Sequence, residues 1–179
     1  MRMTKLAAVL STLALISSQA ALADITVGVS LSSTGPAASL GIPEKNVFAM
    51  LPAKIGGENV KYIVLDDATD PSAATKNARK LVSEDKVDVL VGSASTPASV
   101  AIAEVAFESK TPQVAISPVN LPPEKSAWVF RTPQNNTLMA GALVDHMKAS
   151  GVKTLGFIGF SDVYGEDWRS EEHTSELQS

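Results

Sequence analysis

Residues 87–117 constrain the fold of this chain most, because they read as a strand, a turn, a helix and a second strand in immediate succession. The run VDVLVG at 87–92 is short, β-branched and closed by glycine, which is typical of a buried parallel strand. Pro97 favours the first turn of a helix, where its missing N–H costs nothing, and Ser95 or Thr96 can cap that helix. The turn therefore brings hydroxyls and free backbone N–H groups to a helix N-terminus, an arrangement that binds anions. The same residues are also compatible with a plain helix cap.

The rest of the chain alternates between predicted strands and helices. Further strands are predicted at 25–31, 61–65, 128–131 and 154–160. Further helices are predicted at 43–55, from 71 onwards behind an Asp-Pro start, and at 137–150, with the glycine pair 56–57 ending the first. Helical spacing places these side chains inward: Ala74, Ala78, Leu81, Val82, Val100, Ala103, Phe107, Met139, Leu143, Val144 and Met147. The alternation predicts an α/β fold, a Rossmann-like parallel sheet flanked by helices.

Charge and composition exclude several classes of function. The formal net charge is -4 and no basic run follows residue 5, so nucleic acid is not expected as a partner. The chain has no cysteine, which excludes disulfides, thiolate metal sites and cysteine nucleophiles. No phosphate-binding, metal-ligand or nucleophile motif appears, so we predict no catalytic residue, no metal and no cofactor.

The few titratable residues that draw notice are better explained by structural roles. His146 lies in the middle of a predicted helix and is interpreted as a surface or core residue rather than a base. Asp66 and Asp67 end a predicted strand, where neighbouring side chains point to opposite faces, so the two carboxylates cannot act together as acid and base. We predict that they form hydrogen bonds within a turn.

Both ends of the chain are set apart from the fold. Residues 1–23 combine a basic start, a short apolar run and an Ala-x-Ala site, which predicts a signal peptide cleaved after Ala23 and a periplasmic protein. Residues 169–179, RSEEHTSELQS, lack apolar periodicity and match the in-frame translation of a common sequencing adapter. We interpret this tail as non-native and expect the natural protein to continue beyond Trp168.

Small polar loops follow several of the predicted strands, at 33–35, 93–96, 117–120 and 161–164. The carboxyl ends of parallel strands meet at one edge of a sheet, which is where ligands bind in open α/β folds. The loops therefore predict a ligand cleft.

Taken in order, these loops resemble the N-terminal half of a type I periplasmic solute-binding protein of the branched-chain amino acid ABC-transporter family. The matching motifs are TGP at 34–36, LG at 40–41, GG at 56–57, DDATDP at 66–71, VG with SAST at 91–96, ISP at 116–118, FRT at 130–132 and DVYG at 162–165. The resemblance covers 25–168, the whole portion between the two excluded ends.

The resemblance implies two α/β lobes that close over a small amino acid or a related amide or carboxylate and deliver it to the membrane permease of an ABC importer. Residues 24–132 would form an incomplete first lobe and 133–168 the start of the second. The ligand contacts that carry over are Ser95 and Thr96 for the carboxylate, Ser117, Val119 and Asn120 from the next turn, and Leu40 and Tyr164 as covers. A ligand-sensing domain of a receptor or regulator with the same fold is the alternative, and a secreted α/β hydrolase is a further one.

Overall fold

The computed structural model describes residues 24–176, so the predicted signal peptide lies outside the described residues. The strands are β1 (Ile25–Leu31), β2 (Lys54–Ile55), β3 (Glu58–Asp66), β4 (Val89–Gly92), β5 (Gln113–Ala115) and β6 (Val129–Arg131). The helices are α1 (Ala38–Met50), α2 (Pro71–Ser83), α3 (Thr96–Ser109), α4 (Pro123–Ser126), α5 (Asn136–Ala149) and α6 (Val163–Glu176).

The strands form one sheet in the order β2-β3-β1-β4-β5-β6. All neighbouring pairs are parallel except β2 with β3. In the centre of the sheet Val29 lies between Val64 and Val91. The predicted α/β fold with a mostly parallel sheet is confirmed.

Helices cover the sheet on both faces, because side chains of successive strand residues point to opposite sides. On one face α2 and α3 pack on β4, with Leu81, Leu90 and Ile102 almost fully buried. On the other face Val29 and the neighbouring valines meet Phe48 of α1. Removal of these side chains from water is the main stabilising contribution, about 1.5–3 kcal/mol for each large apolar residue.

The first helix and the following turn differ from the prediction. Helix α1 begins at Ala38 and ends at Met50, before Pro52, so the predicted helix at 43–55 is wrong in both bounds. Residues 54–55 instead pair antiparallel with Asn59 and Glu58. Gly56 and Gly57 adopt φ of 62° and 96° in the turn between these strands, a conformation that favours glycine. The glycine pair therefore closes a hairpin and does not end a helix.

The predicted strand at 154–160 is not formed. A strand needs a neighbour to take its backbone hydrogen bonds, and no described strand lies beside this segment. Ile158 is 97% exposed as a result. Phe107 and Leu143, which were expected to face inward, are also exposed because no described element covers them. The prediction holds for the inner face of α2, where Ala74, Ala78 and Leu81 are buried.

Helix α6 runs into the polar tail and includes residues 169–176. That the tail is non-native stays a prediction.

A ligand cleft at the carboxyl ends of the strands

A cleft of about 630 Å³ lies where the loops after β1, β3, β4 and β5 meet the start of α6. Its volume falls within the range of small-molecule sites in proteins, about 300–1,000 Å³. The first turn of α3 forms its floor through Ser95, Thr96 and Pro97. The predicted convergence of strand-end loops on one cleft therefore matches the geometry.

Five of the seven residues predicted to contact a ligand line this cleft: Leu40, Ser95, Thr96, Ser117 and Tyr164. The other two, Val119 and Asn120, line a separate depression beside Arg131. Arg131 Nη1 donates to the Val119 carbonyl at 2.9 Å, and Val119 is only 5% exposed. The loop is thus held towards β6 after Pro118 and takes Val119 and Asn120 away from the cleft lining, so their role as ligand contacts stays a prediction.

The first turn of α3 carries hydroxyls with different environments. Ser95 occupies the N-cap position, but its side chain makes no capping bond, contrary to expectation. The Ser95 Oγ is buried and has no partner among the described residues. Thr96 Oγ1 donates to the Pro118 carbonyl at 2.7 Å and so ties α3 to the loop after β5.

Ser117 supplies a second buried hydroxyl to the same cleft. It is 3% exposed, and its Oγ also lacks a hydrogen-bond partner among the described residues. Buried polar atoms are nearly always paired in native proteins, so two such hydroxyls in one cavity indicate a place for a polar group. The first N–H groups of α3 have no partner within the helix, and the helix dipole favours negative charge there. This end of the cleft therefore offers hydrogen-bond donors to an acceptor group such as a carboxylate.

Asp67 joins the loops that form the cleft. Its side chain is fully buried and accepts hydrogen bonds from Ser30 and Ser93 at Oδ2, at 2.9 and 2.7 Å. At Oδ1 it accepts from the Ser32 hydroxyl at 2.8 Å and from the Thr69 N–H at 3.0 Å. One carboxylate thus connects the ends of β1, β3 and β4.

Asp66 organises the outer side of the first loop. Its carboxylate accepts from the Thr34 hydroxyl at 2.7 Å and from the Ala68 N–H at 2.9 Å. Burial raises the pKa of Asp66, but hydrogen bonds from Thr34, Ala68 and Ser33 outweigh burial and lower the pKa from its ordinary value. The predicted turn role of Asp66 and Asp67, on opposite sides of the chain, is confirmed.

Glu44 is a half-buried carboxyl one turn after Leu40 on α1. Its Oε2 is buried and has no hydrogen bond among the described residues. Burial and the nearby negative charge of Asp67 raise the pKa of Glu44 to about 7. The sequence gives no direct signal for this, because Glu44 reads as an ordinary polar residue of a helix.

The far wall of the cleft comes from the start of α6. Asp162 Oδ1 accepts from the N–H groups of Tyr164 and Gly165, at 3.0 and 3.1 Å, and so caps the helix. The Tyr164 ring meets the Trp168 ring edge-on, with centroids 6.5 Å apart. Phe160 also lines the cleft and was missed. Its position as the last apolar residue before the Asp162 turn is the signal that could have found it.

Two further observations concern metal ions and membranes. Among residues 24–170, whose side chains the structure describes, no three acidic or histidine side chains come together as metal ligands. No helix in that range is both long and apolar enough to cross a membrane.

A mostly parallel α/β sheet whose strand-end loops and an extra helix line a small cleft is an arrangement typical of ligand-binding sites in α/β proteins. The chain belongs to the periplasmic binding protein family, whose model matches residues 24–172. The resemblance drawn from the sequence is thereby confirmed.

Relatives of this chain are themselves binding proteins. An amino acid binding protein of Pseudomonas aeruginosa is 28% identical over 160 residues, which are 82% of this chain and 41% of that protein. The crystal structure of an extracellular ligand-binding receptor from Rhodopseudomonas palustris HaA2 matches at 44% identity and a TM-score of 0.84, over 87% of this chain and 44% of the receptor. A solute-binding protein of an ABC transporter from R. palustris, solved with benzoate, matches at 26% identity and a TM-score of 0.70, over 87% and 45%. The chain thus spans less than half the length of these relatives.

Proposed function

We propose that this protein binds a small organic carboxylate in the cleft and delivers it to the membrane permease of an ABC importer. The observation that carries the proposal is the pair of buried, unpartnered hydroxyls of Ser95 and Ser117 beside the N-terminus of α3. Hydrogen bonds to an ionised group contribute about 1.5–3 kcal/mol each, so these hydroxyls would favour an anion over its neutral amide.

The walls of the cleft favour a ligand with an apolar body. Leu40, Phe160 and Tyr164 line it, whereas the charged residue of the described lining, Asp162, uses Oδ1 to cap α6. An aromatic or branched apolar carboxylate fits this combination. The ligands named for two of the relatives, an amino acid and benzoate, both carry a carboxylate.

The wider setting follows from the family. Membership of the periplasmic binding protein family implies an extracytoplasmic location. We infer that residues 1–23 direct export, with cleavage after Ala23, that residues 24–132 belong to a first lobe and that 133–168 begin a second. Closure of two lobes around a hinge would bring Tyr164 over a ligand held by Ser95 and Ser117.

The test is calorimetry on the protein expressed from its full reading frame, with benzoate and L-leucine as probes and benzamide and leucinamide as neutral counterparts. Ser95→Ala and Ser117→Ala should each weaken the bound carboxylate about tenfold, since about 1.4 kcal/mol is a factor of ten. The matched control is Ser109→Ala at the other end of α3, where the hydroxyl only donates to the Val105 carbonyl. Equal binding of acid and amide, or unchanged affinity in the Ser95→Ala, Ser117→Ala double variant, would contradict the proposal.

A further inference from the structure

Asp167 of α6 lies between two segments that are far apart in the chain. Its Oδ2 accepts from Asn136 Nδ2 at 2.6 Å, at the start of α5. Its Oδ1 accepts from Asn120 Nδ2 at 3.4 Å, in the loop after β5. Asn136 is 5% exposed, so one end of this arrangement is buried, whereas Asn120 is exposed. The three side chains connect α6, α5 and the loop after β5.

Two cleft residues depend on the elements that this arrangement joins. Tyr164 precedes Asp167 by three residues on α6, and residues at that spacing share a helix face. Ser117 precedes Asn120 by three residues in the loop after β5. Both Tyr164 and Ser117 line the cleft, but Asp167 and Asn120 do not. Any shift of α6 against this loop would therefore change the distance between the two cleft residues.

We propose that Asp167 is a positioning residue for the cleft, which holds Tyr164 over Ser117 by accepting hydrogen bonds from Asn120 and Asn136. The inference rests on the proposed function and assigns Asn120 a role through Asp167 instead of a direct ligand contact.

A carboxylate suits the centre of this arrangement in the wild type. Two amide groups each offer N–H donors, and a carboxylate accepts at both oxygens at once. The short bond to the buried Asn136 anchors Asp167 to the start of α5. The longer bond to the exposed Asn120 is the weaker of the two and reaches into the segment assigned to the first lobe. It can break when the lobes separate and re-form when they close, so it favours the closed arrangement.

An exchange of the two side chains tests this directly. In the full-reading-frame protein, Asn120→Asp places two carboxylates next to each other, and their repulsion opposes the contact between α6 and the loop. Binding of whichever probe, benzoate or L-leucine, has the higher affinity should weaken about tenfold. Adding Asp167→Asn joins one amide to one carboxylate again. The oxygen of the new amide at position 167 still accepts from Asn136 Nδ2, and its N–H₂ group donates to the new carboxylate at position 120. The double variant should regain affinity to within about threefold of the wild type.

Asn59 offers a matched control, because its Nδ2 donates to Asp24 Oδ1 at 2.8 Å and neither residue lines the cleft. Asn59→Asp makes the same chemical change at a distant amide–carboxylate pair and should leave affinity unchanged. A second readout uses the absence of cysteine, which allows spin labels on cysteines introduced at the exposed Lys76 and Lys148. Asn120→Asp should broaden and lengthen the label distances, and the exchanged pair should restore them.

The outcomes separate the two proposals. Recovery of both affinity and distances in the exchanged pair supports the positioning role. Lost affinity without recovery, or no effect of Asn120→Asp on either readout, overturns it. If the wild type binds neither probe, the proposed carboxylate function fails, whereas the label distances still decide whether Asp167 positions α6.

Discussion

At the scale of single residues, Asp67 shows how one buried carboxylate can be accommodated without a cation beside it among the described residues. Three serine hydroxyls and one backbone N–H surround its two oxygens. Serine hydroxyls can rotate to donate to a charge, so each bond is charge-assisted. The loops that carry Ser93 and Thr69 also line the cleft, so Asp67 holds two of the cleft-forming loops in place.

We expect Asp67→Asn to lower the free energy of unfolding by about 1–3 kcal/mol, because an amide presents donors to the three hydroxyls and leaves buried groups unsatisfied. Urea unfolding of the full-reading-frame protein measures this. Asp66→Asn is the matched control on the neighbouring exposed carboxylate, where the amide oxygen still accepts and water replaces what is lost. Equal losses in the two variants would show that the burial of Asp67 does not matter.

Single residues also show where prediction from sequence succeeds and fails. The opposite orientation of Asp66 and Asp67 follows from the two-residue period of a strand, so it was predictable. Val119 and Asn120 follow a proline in a loop, where no period applies. The contact between Arg131 and the Val119 carbonyl, which decides their direction, joins residues twelve positions apart.

At the scale of elements, α1 packs tightly against the end of β1 and carries Glu44, a carboxyl group whose pKa is raised. Gly41 lies so close to the Ser32 carbonyl that a Cβ would overlap the oxygen, which fixes the helix against the end of β1. Glu44 follows within one turn and is partly buried near Asp67. Because Gly41 holds α1 against the end of β1, Glu44 stays partly buried near Asp67, and ionisation of Glu44 lowers the stability of the folded state.

This predicts a specific dependence of stability on pH. The folded-state pKa of Glu44 is about 7 against an ordinary pKa of 4.5, so the folded state binds more protons than the unfolded state between these values. The contribution is fully present below pH 4.5 and is lost as the pH rises through about 7. Glu44→Gln removes this pH dependence, because glutamine does not titrate. From about pH 5 to about pH 8, the free energy of unfolding of the variant should rise by about 1 kcal/mol relative to that of the wild type, after allowance for the half-exposed side chain.

Urea unfolding at the two pH values measures the difference. A gap between variant and wild type that stays constant with pH would show that Glu44 does not titrate in this range.

Element boundaries were predictable where a local signal exists. Asp70 was predicted to begin α2, and its side chain indeed accepts from the Ala73 N–H at 2.7 Å. The hairpin of β2 and β3 was missed because a glycine pair is compatible with both a helix end and a tight turn. The choice between them depends on pairing with Asn59, which lies beyond the turn.

At the scale of the whole molecule, the described residues divide into a well-packed part and an open part. Residues up to about Arg131 contain both core clusters. Between 137 and 163 the large apolar side chains are mostly exposed: Leu138, Leu143, Val152, Leu155, Phe157, Ile158, Phe160 and Val163. The predicted strand at 154–160 is not formed because no described strand pairs with it and no described element covers its apolar side chains.

We therefore expect residues 24–179 alone to unfold with weak cooperativity and to show no saturable binding of leucine, isoleucine or valine. A binding site that forms only when two lobes close needs contacts from both. Differential scanning calorimetry with and without each amino acid measures this. One sharp transition that moves upward with ligand would contradict the expectation, because such a shift requires a folded, competent site.

The edge-on packing of Trp168 against Tyr164 also gives the protein an optical reporter of its own. Tyr164 lines the cleft, so a bound solute would touch one ring of a pair whose other member is the strongest natural fluorophore in proteins. The chain has only one other tryptophan, Trp128, just before β6. With Trp128→Phe in place, Trp168 is the one tryptophan left in residues 1–179, so the tryptophan emission of this part of the protein comes from the wall of the cleft.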